Sequence, residues 1–308
     1  MNFSIYFLLS FFLIYLNLNL FLKYSRNILL DNPNSRSSHT KPTPSGAGII
    51  FSSLITLNSI FFNKSNLFIA YPLSLLGFVD DKFKIPSQIR YLAQFITSFF
   101  ILKNSEFINN SLISNNLFFC LIFLTIVGTA IINFTNFLDC LDGLISSCFL
   151  IIFFTISLES GNNYFIAISL FSFLFYNWHP AKLFMGDSGS TYLGAIYFSL
   201  ILQSNTIEVF LSKLLLASPI FLDAISCLII RFKNGFNIFK AHRMHLAQRL
   251  YLSGWSHSKV SVLYVSFTVI MSGLYHFGNL SLMLLFTFIL CLAGAYINRK
   301  YASAFPIK

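Results

Sequence analysis

The chain has 308 residues, of which 56% are hydrophobic and only 10% charged. Soluble domains run near a quarter charged, so a soluble globular protein is excluded, and the 18% aromatic content excludes a disordered chain. In so apolar a sequence the net charge of +10 reads first as membrane orientation rather than as a nucleic-acid partner.

Apolar runs between polar punctuation predict eleven membrane spans, near 3–22, 46–62, 66–79, 89–102, 116–133, 143–158, 163–178, 190–206, 208–230, 259–275 and 280–297. Several are under about 18 residues and must borrow loop residues to cross. The first run has no basic n-region and no small-residue cleavage site, so it reads as a retained span rather than a cleaved signal. On this topology Lys and Arg divide 17 to 3, with Lys64, Lys103 and Lys213 alone on the minority side. The excess marks the cytoplasmic face, with the N-terminus outside and the C-terminus inside. No repeat and no inserted soluble domain is visible, so residues 1–308 read as one integral-membrane domain.

Ionisable groups gather on that same face. Asp31, Asp80, Asp81, Asp139, Asp142 and Asp187 fall there, as do His39, His179, His242, His245 and His257. Asp223 alone lies inside a span. A transporter places such groups near the bilayer midplane; this distribution points to a reaction site at the membrane surface. The five cysteines (Cys120, Cys140, Cys148, Cys227 and Cys291) are odd in number and form no Cys-x-x-Cys pair. They predict neither a disulfide framework nor a zinc site.

Five cytoplasmic loops carry the polar chemistry, near 23–45, 80–88, 134–142, 179–189 and 231–258. The first is basic and stiffened by Pro42 and Pro44. The second holds Asp80-Asp81-Lys82-Phe83-Lys84. Adjacent carboxylates at a helix end can bind a hard cation, supply a base, or simply cap the helix. In the third, Asn133, Asn136, Asp139 and Asp142 recur every three positions along one helical side. That stripe either binds something polar or forms a seam between helices. The fourth reads Gly186-Asp187-Ser188-Gly189-Ser190. It offers free backbone amides to a phosphate and a carboxylate to Mg²⁺, and it also reads as an ordinary helix start. In the fifth, His242, His245 and Arg249 share a helical face with Arg243 and Gln248 beside them. This basic face suits a diphosphate or anionic lipid headgroups. Two His three apart also suit zinc, but no further ligand is near in sequence.

Taken in order on one face, the blocks Arg36–Gly48, Val79–Gln94, Asn133–Leu144, Phe184–Gly194 and His242–Arg249 resemble the polyprenyl-phosphate N-acetylhexosamine-1-phosphate transferase superfamily. The His-x-x-His-x-x-Gln-Arg form, followed by Gly254-Trp255-Ser256-His257, is most similar to its bacterial O-antigen-initiating branch. The sibling alternative is the phospho-N-acetylmuramoyl-pentapeptide branch of peptidoglycan synthesis. The resemblance implies an all-α protein of ten or eleven membrane helices in the bacterial inner membrane, with a cytoplasmic active-site cleft. It implies transfer of a sugar 1-phosphate from a UDP-N-acetylamino sugar to undecaprenyl phosphate, with UMP released and Mg²⁺ (or Mn²⁺) required. Expected partners are those two substrates, the lipid bilayer and a second copy of the chain, with no nucleic acid. By motif, Asp187 and Asp80 are the implied metal ligands, and Asp80, Asp81, Asp139 and Asp142 the implied catalytic acids. Asn133, Asn136, Lys84, Asp223, Arg231, His242, Arg243, His245, Gln248 and Arg249 are the implied substrate contacts. Asp223 is expected to point into the cleft, and Asp80 to position or deprotonate the acceptor phosphate. Two departures stand out: Asp139-Cys140-Leu-Asp142-Gly143 replaces the usual Asp-Gly-x-Asp-Gly, and Ser45 and Ala47 stand where Arg and Gly are common. The competing classes are a polytopic transporter or flippase and a catalytically silent scaffold of the same fold.

Overall fold

A computed structural model describes residues 3–25, 29–34, 37–62, 67–109, 117–237 and 242–305. Every apolar run predicted from sequence overlaps a helix. In chain order these are α1 (Phe3–Ser25), α2 (Gly48–Phe61), α3 (Tyr71–Phe83), α4 (Ser87–Lys103), α5 (Leu117–Leu138), α6 (Leu144–Ser160) and α7 (Tyr164–Asn177). There follow α8 (Gly186–Ile201), α9 (Ile207–Leu216), α10 (Ser218–Lys233), the short α11 (Leu246–Leu252), α12 (His257–Phe277) and α13 (Leu280–Lys300). The architecture is that of an all-α polytopic membrane protein. Two two-residue strands, β1 (Leu30–Asp31) and β2 (Thr43–Pro44), are the exception; they pair antiparallel and tie the first loop to itself.

Among the described residues four helices, α1, α5, α12 and α13, are long and apolar enough to cross a bilayer singly. The run expected over 208–230 is instead two helices, α9 and α10, bent by 75°. Pro219 explains the break, since it has no N–H to continue the ladder and is tolerated only in a helix's first turn. The other apolar helices are shorter: α2, at 14 residues, spans about 21 Å against a hydrocarbon core of about 30 Å.

Helix α8 is the hub. Every residue from Ser188 to Ile201 is buried, and α2, α3, α5 and α4 pack round it. Small residues set these distances. A Cβ on Gly77 of α3 would lie 2.5 Å from the backbone of Asp187 and Ser188, so only glycine permits this approach. Polar links then fix the rotation of the helices: Thr56 Oγ1 meets Tyr192 Oη at 2.9 Å, and Tyr197 donates from its hydroxyl to the Lys213 carbonyl at 2.5 Å. The opposite pattern holds at the periphery, where α1 and α13 present mostly exposed apolar side chains.

Candidate active site

One end of the bundle encloses a cavity of about 760 Å³. Its walls come from the loop after α1, the junction of α3 and α4, the end of α5 and its following turn, the start of α8, and the loop before α11. All five loops singled out by sequence thus converge on one opening. The volume lies within the range of small-molecule sites.

The acidic wall is built on the α3–α8 contact. One turn beyond Gly77, α3 ends in Asp80 and Asp81. Asp81 Oδ1 accepts the backbone N–H of Asp187 at 2.9 Å, so this carboxylate sits on the first turn of α8, where the helix dipole favours negative charge. Its Oδ2 is buried without a hydrogen bond. Gly186 (φ +69°) is required here, because a Cβ there would lie 2.2 Å from that oxygen. Asp80 is held from two sides: Oδ1 by the Ile85 N–H at 2.5 Å and Oδ2 by Arg90 Nη1 at 2.9 Å. The same Arg90 nitrogen reaches Asp187 Oδ2 at 2.8 Å. Asn136 donates to Asp187 Oδ1 and to Ser190 Oγ, each at 2.9 Å. Lys84 closes α3 with φ +55° and lines the cavity. Arg90 was absent from the expected site, yet it bridges the two carboxylates at its centre.

Asp139 also lines the cavity but makes no hydrogen bond or ion pair with a described side chain. Desolvation in its recess, with Asp187 and Asp142 nearby, pushes its carboxyl up to about 8. Asp142, expected as a free acid, is committed. Its Oδ2 meets His179 Nδ1 at 2.6 Å and the Ala181 N–H at 3.1 Å, and its Oδ1 lies 3.3 Å from His257 Nδ1. Burial pushes this carboxyl up, but the His257 and His179 hydrogen bonds outweigh it and hold it below the ordinary carboxylate range. The two rings stack at 4.7 Å, and His257 Nε2 faces the Ser38 carbonyl at 3.1 Å. His257 and His179 were not among the expected site residues; in sequence both counted as cytoplasmic histidines, and His257 also closed the Gly254-Trp255-Ser256-His257 motif.

The predicted stripe divides. α5 stays helical only to Leu138, and the chain then turns, so Asp139 and Asp142 leave the helical side that carries Asn133 and Asn136. Asn133 does not line the cavity; it donates to Gln94 Oε1 at 2.5 Å and forms a seam between α5 and α4.

The basic block divides as well. His242 and His245 line the cavity. Burial, then His245 and Arg231, lower the His242 imidazole to about 3, so it is neutral at ordinary pH. Asp223 does not point into the cavity. Its Oδ1 accepts the Leu246 N–H at 2.7 Å, and its Oδ2 accepts the Ala247 N–H at 3.0 Å and the Tyr264 hydroxyl at 2.8 Å. It caps α11, and both oxygens are taken. Four further expected contacts lie outside the described cavity lining. Arg231 donates to the Asn237 carbonyl. Arg243 lies over the Tyr251 ring at 5.6 Å. Gln248 accepts the His245 N–H at 3.3 Å. Arg249 turns toward Asn298 and the Phe305 ring. For Arg243, Gln248 and Arg249 the physical reason is common: α11 begins only at Leu246, so the assumed continuous helical face from His242 to Arg249 does not exist. Arg36, in the first block, lies outside the described residues.

Comparison with known proteins places this geometry in a family. The sequence profile described as "Glycosyl transferase family 4" matches residues 64–205. The chain is 30% identical over 269 residues to the probable undecaprenyl-phosphate N-acetylglucosaminyl 1-phosphate transferase of Bacillus subtilis (strain 168), covering 77% of this chain and 73% of that protein. It is 30% identical over 281 residues to the phospho-N-acetylmuramoyl-pentapeptide-transferase of Staphylococcus carnosus (strain TM300), covering 78% and 85%. The transferase of the same name from Clostridium novyi (strain NT) is 27% identical over 285 residues, covering 81% and 86%. With the acidic wall of its cavity built from segments that the profile spans, and a 30% identical relative matched over most of both lengths, the chain belongs to glycosyl transferase family 4.

Proposed function

We propose that the chain transfers a sugar 1-phosphate from a UDP-sugar to undecaprenyl phosphate, giving a lipid-linked sugar diphosphate and UMP. The observation that carries this reading is the carboxylate group around Asp187. Asp80, Asp139 and Asp187 face one cavity, and a single guanidinium, Arg90, is held between two of them. So dense a negative cluster needs positive charge to persist, and its all-oxygen donor set suits a hard cation. Mg²⁺ therefore fits, with Asp187 and Asp80 as the residues that would hold it. When bound, Mg²⁺ supplies Lewis-acid stabilisation of phosphoryl oxygens.

The chain's own residues do the rest. Lys84 and Arg90 offset the charge of two anionic substrates brought together. His242 and His245 stand on the wall nearer α11, beside the space that a diphosphate would occupy. An oxygen of the lipid phosphate attacks the sugar-bearing phosphorus of the donor. The bond from that phosphorus to the UMP oxygen breaks, and UMP leaves with the electron pair. Asp139, which lines the cavity and makes no hydrogen bond or ion pair with a described side chain, orients the acceptor phosphate or takes its proton. In this reading the donor is a UDP-N-acetylamino sugar, the product primes a cell-surface glycan such as an O-antigen, and the cavity opens to the cytoplasmic side of the bacterial inner membrane. The second reading, a pentapeptide-bearing muramoyl donor, is supported by the relatives named for that substrate.

The test is UMP release by purified protein supplied with undecaprenyl phosphate, Mg²⁺ and a panel of UDP-N-acetylamino sugars. Lipid-dependent release that Asp187→Asn abolishes is expected. Folded wild-type protein that releases no UMP from any donor would overturn the proposal.

A further inference from the structure

We propose that Cys227, His242 and His245 form a second cation site, selective for a borderline-soft divalent ion of the Zn²⁺ class and distinct from the carboxylate cluster. In sequence the two His lacked a further ligand. The fold supplies one: Cys227, on α10, brings its Sγ beside them, and one ligand atom from each of the three residues lies within 4.8 Å of the others. One thiolate and two imidazoles are the donor set that Zn²⁺ prefers and that Mg²⁺ does not.

The partner inventory separates this cluster from the other imidazole group. Asp142, His179 and His257 also gather closely, but their polar atoms satisfy one another, the Ala181 N–H and the Ser38 carbonyl. At the Cys227 group the count does not close. His245 is 2% exposed, and its Nδ1 makes no hydrogen bond. Asp223 Oδ1 is the acceptor it faces, at 3.7 Å, beyond hydrogen-bond reach. A buried ring nitrogen left unpaired is costly and calls for a ligand or a small closure. Metal on the opposite nitrogen of His245 supplies both, because it fixes the N–H on Nδ1 and draws it onto the carboxylate, the usual outer arrangement of a metal-bound His. His242 Nδ1 is likewise engaged, accepting the Met244 N–H at 3.3 Å, which leaves its Nε2 for the ion.

Charge also balances. Binding releases the Cys227 thiol proton to cavity water, and the thiolate together with the Asp223 carboxylate neutralises a dication. Because His242 and His245 line the main cavity, three protein ligands leave the fourth position open toward it, where a phosphate oxygen or water can enter.

Co²⁺ is the probe, since its thiolate complexes absorb in the near ultraviolet. Metal-stripped full-length protein in detergent should bind one Co²⁺ with such a band, and Zn²⁺ but not excess Mg²⁺ should displace it. Cys227→Ser should abolish the band and weaken Co²⁺ binding at least about tenfold, whereas Asp187→Asn should leave both unchanged. Thermal unfolding checks that the Ser variant is folded. Should it not be, His242→Gln, on the cavity side, should show the same loss of affinity. A wild-type protein without the band, a band that survives in Cys227→Ser, or a folded His242→Gln that binds Co²⁺ as tightly as wild type overturns the site. None of these outcomes bears on UMP release, so the proposed transferase activity stands or falls separately.

Discussion

Two helix starts in this molecule are capped by a carboxylate from another helix, and they are used differently. At α8, Asp81 accepts one backbone N–H and leaves its second oxygen unpaired beside a cavity that Asp187, Asp80 and Asp139 also face. At α11, Asp223 gives both oxygens to three donors and turns away from that cavity. Both acids were expected to serve the site, Asp81 from a motif block and Asp223 from inside a span. The difference teaches that a carboxylate's availability for chemistry is set by how many donors the fold aims at it.

The contrast can be broken by substitution. At the α8 end, Asp187→Asn should lower lipid-dependent UMP release by about 10²- to 10³-fold in kcat while the protein stays folded. At the α11 end, Asp223→Ala orphans the Leu246 and Ala247 N–H groups and the Tyr264 hydroxyl. It should cost about 3 kcal/mol of stability, read as a lowered detergent unfolding temperature. If Asp223→Ala instead unfolds like wild type and loses only activity, the capping role is wrong. Between these extremes lies Asp142. Its folded carboxyl is held below the ordinary range by His257 and His179, so its contribution is present above the unfolded value near 3.9 and fades as pH falls through the folded one. The unfolding-temperature gap between wild type and Asp142→Asn should therefore be open at pH 7 and narrow progressively as pH falls below the unfolded value of about 3.9. The smallest effect is expected at the α4–α5 seam. Asn133→Leu should cost roughly 0.6 kcal/mol and leave turnover unchanged; a large loss of turnover would return Asn133 to the site.

What sequence reveals follows range. Apolar periodicity is local, and each predicted run found its helix, with Pro219 supplying the one unforeseen break. The motif acids Asp80, Asp139 and Asp187, with Asn136 and Lys84, were legible because each lies at the end of an apolar run on the same face, and all five line the cavity. Arg90 was not. Its two partners lie 10 and 97 residues away, and nothing local distinguishes it from a cation that orients a loop. Asp223 was misjudged because its donors come from a helix start 23 residues on, invisible to any period. Arg249 and Gln248 were misjudged for a local reason: one helical face was assumed where a loop meets a seven-residue helix.

The complete burial of α8 has a bearing on biogenesis. A helix with no lipid-facing side, beginning Gly-Asp-Ser-Gly-Ser, gains nothing from the bilayer alone and must be received by protein. Most of the helices that receive it, α2, α3, α4 and α5, precede it in the chain, and α9, whose Lys213 carbonyl accepts the Tyr197 hydroxyl, follows it. Synthesis thus delivers this helix into a cradle already mostly made, which α9 then closes.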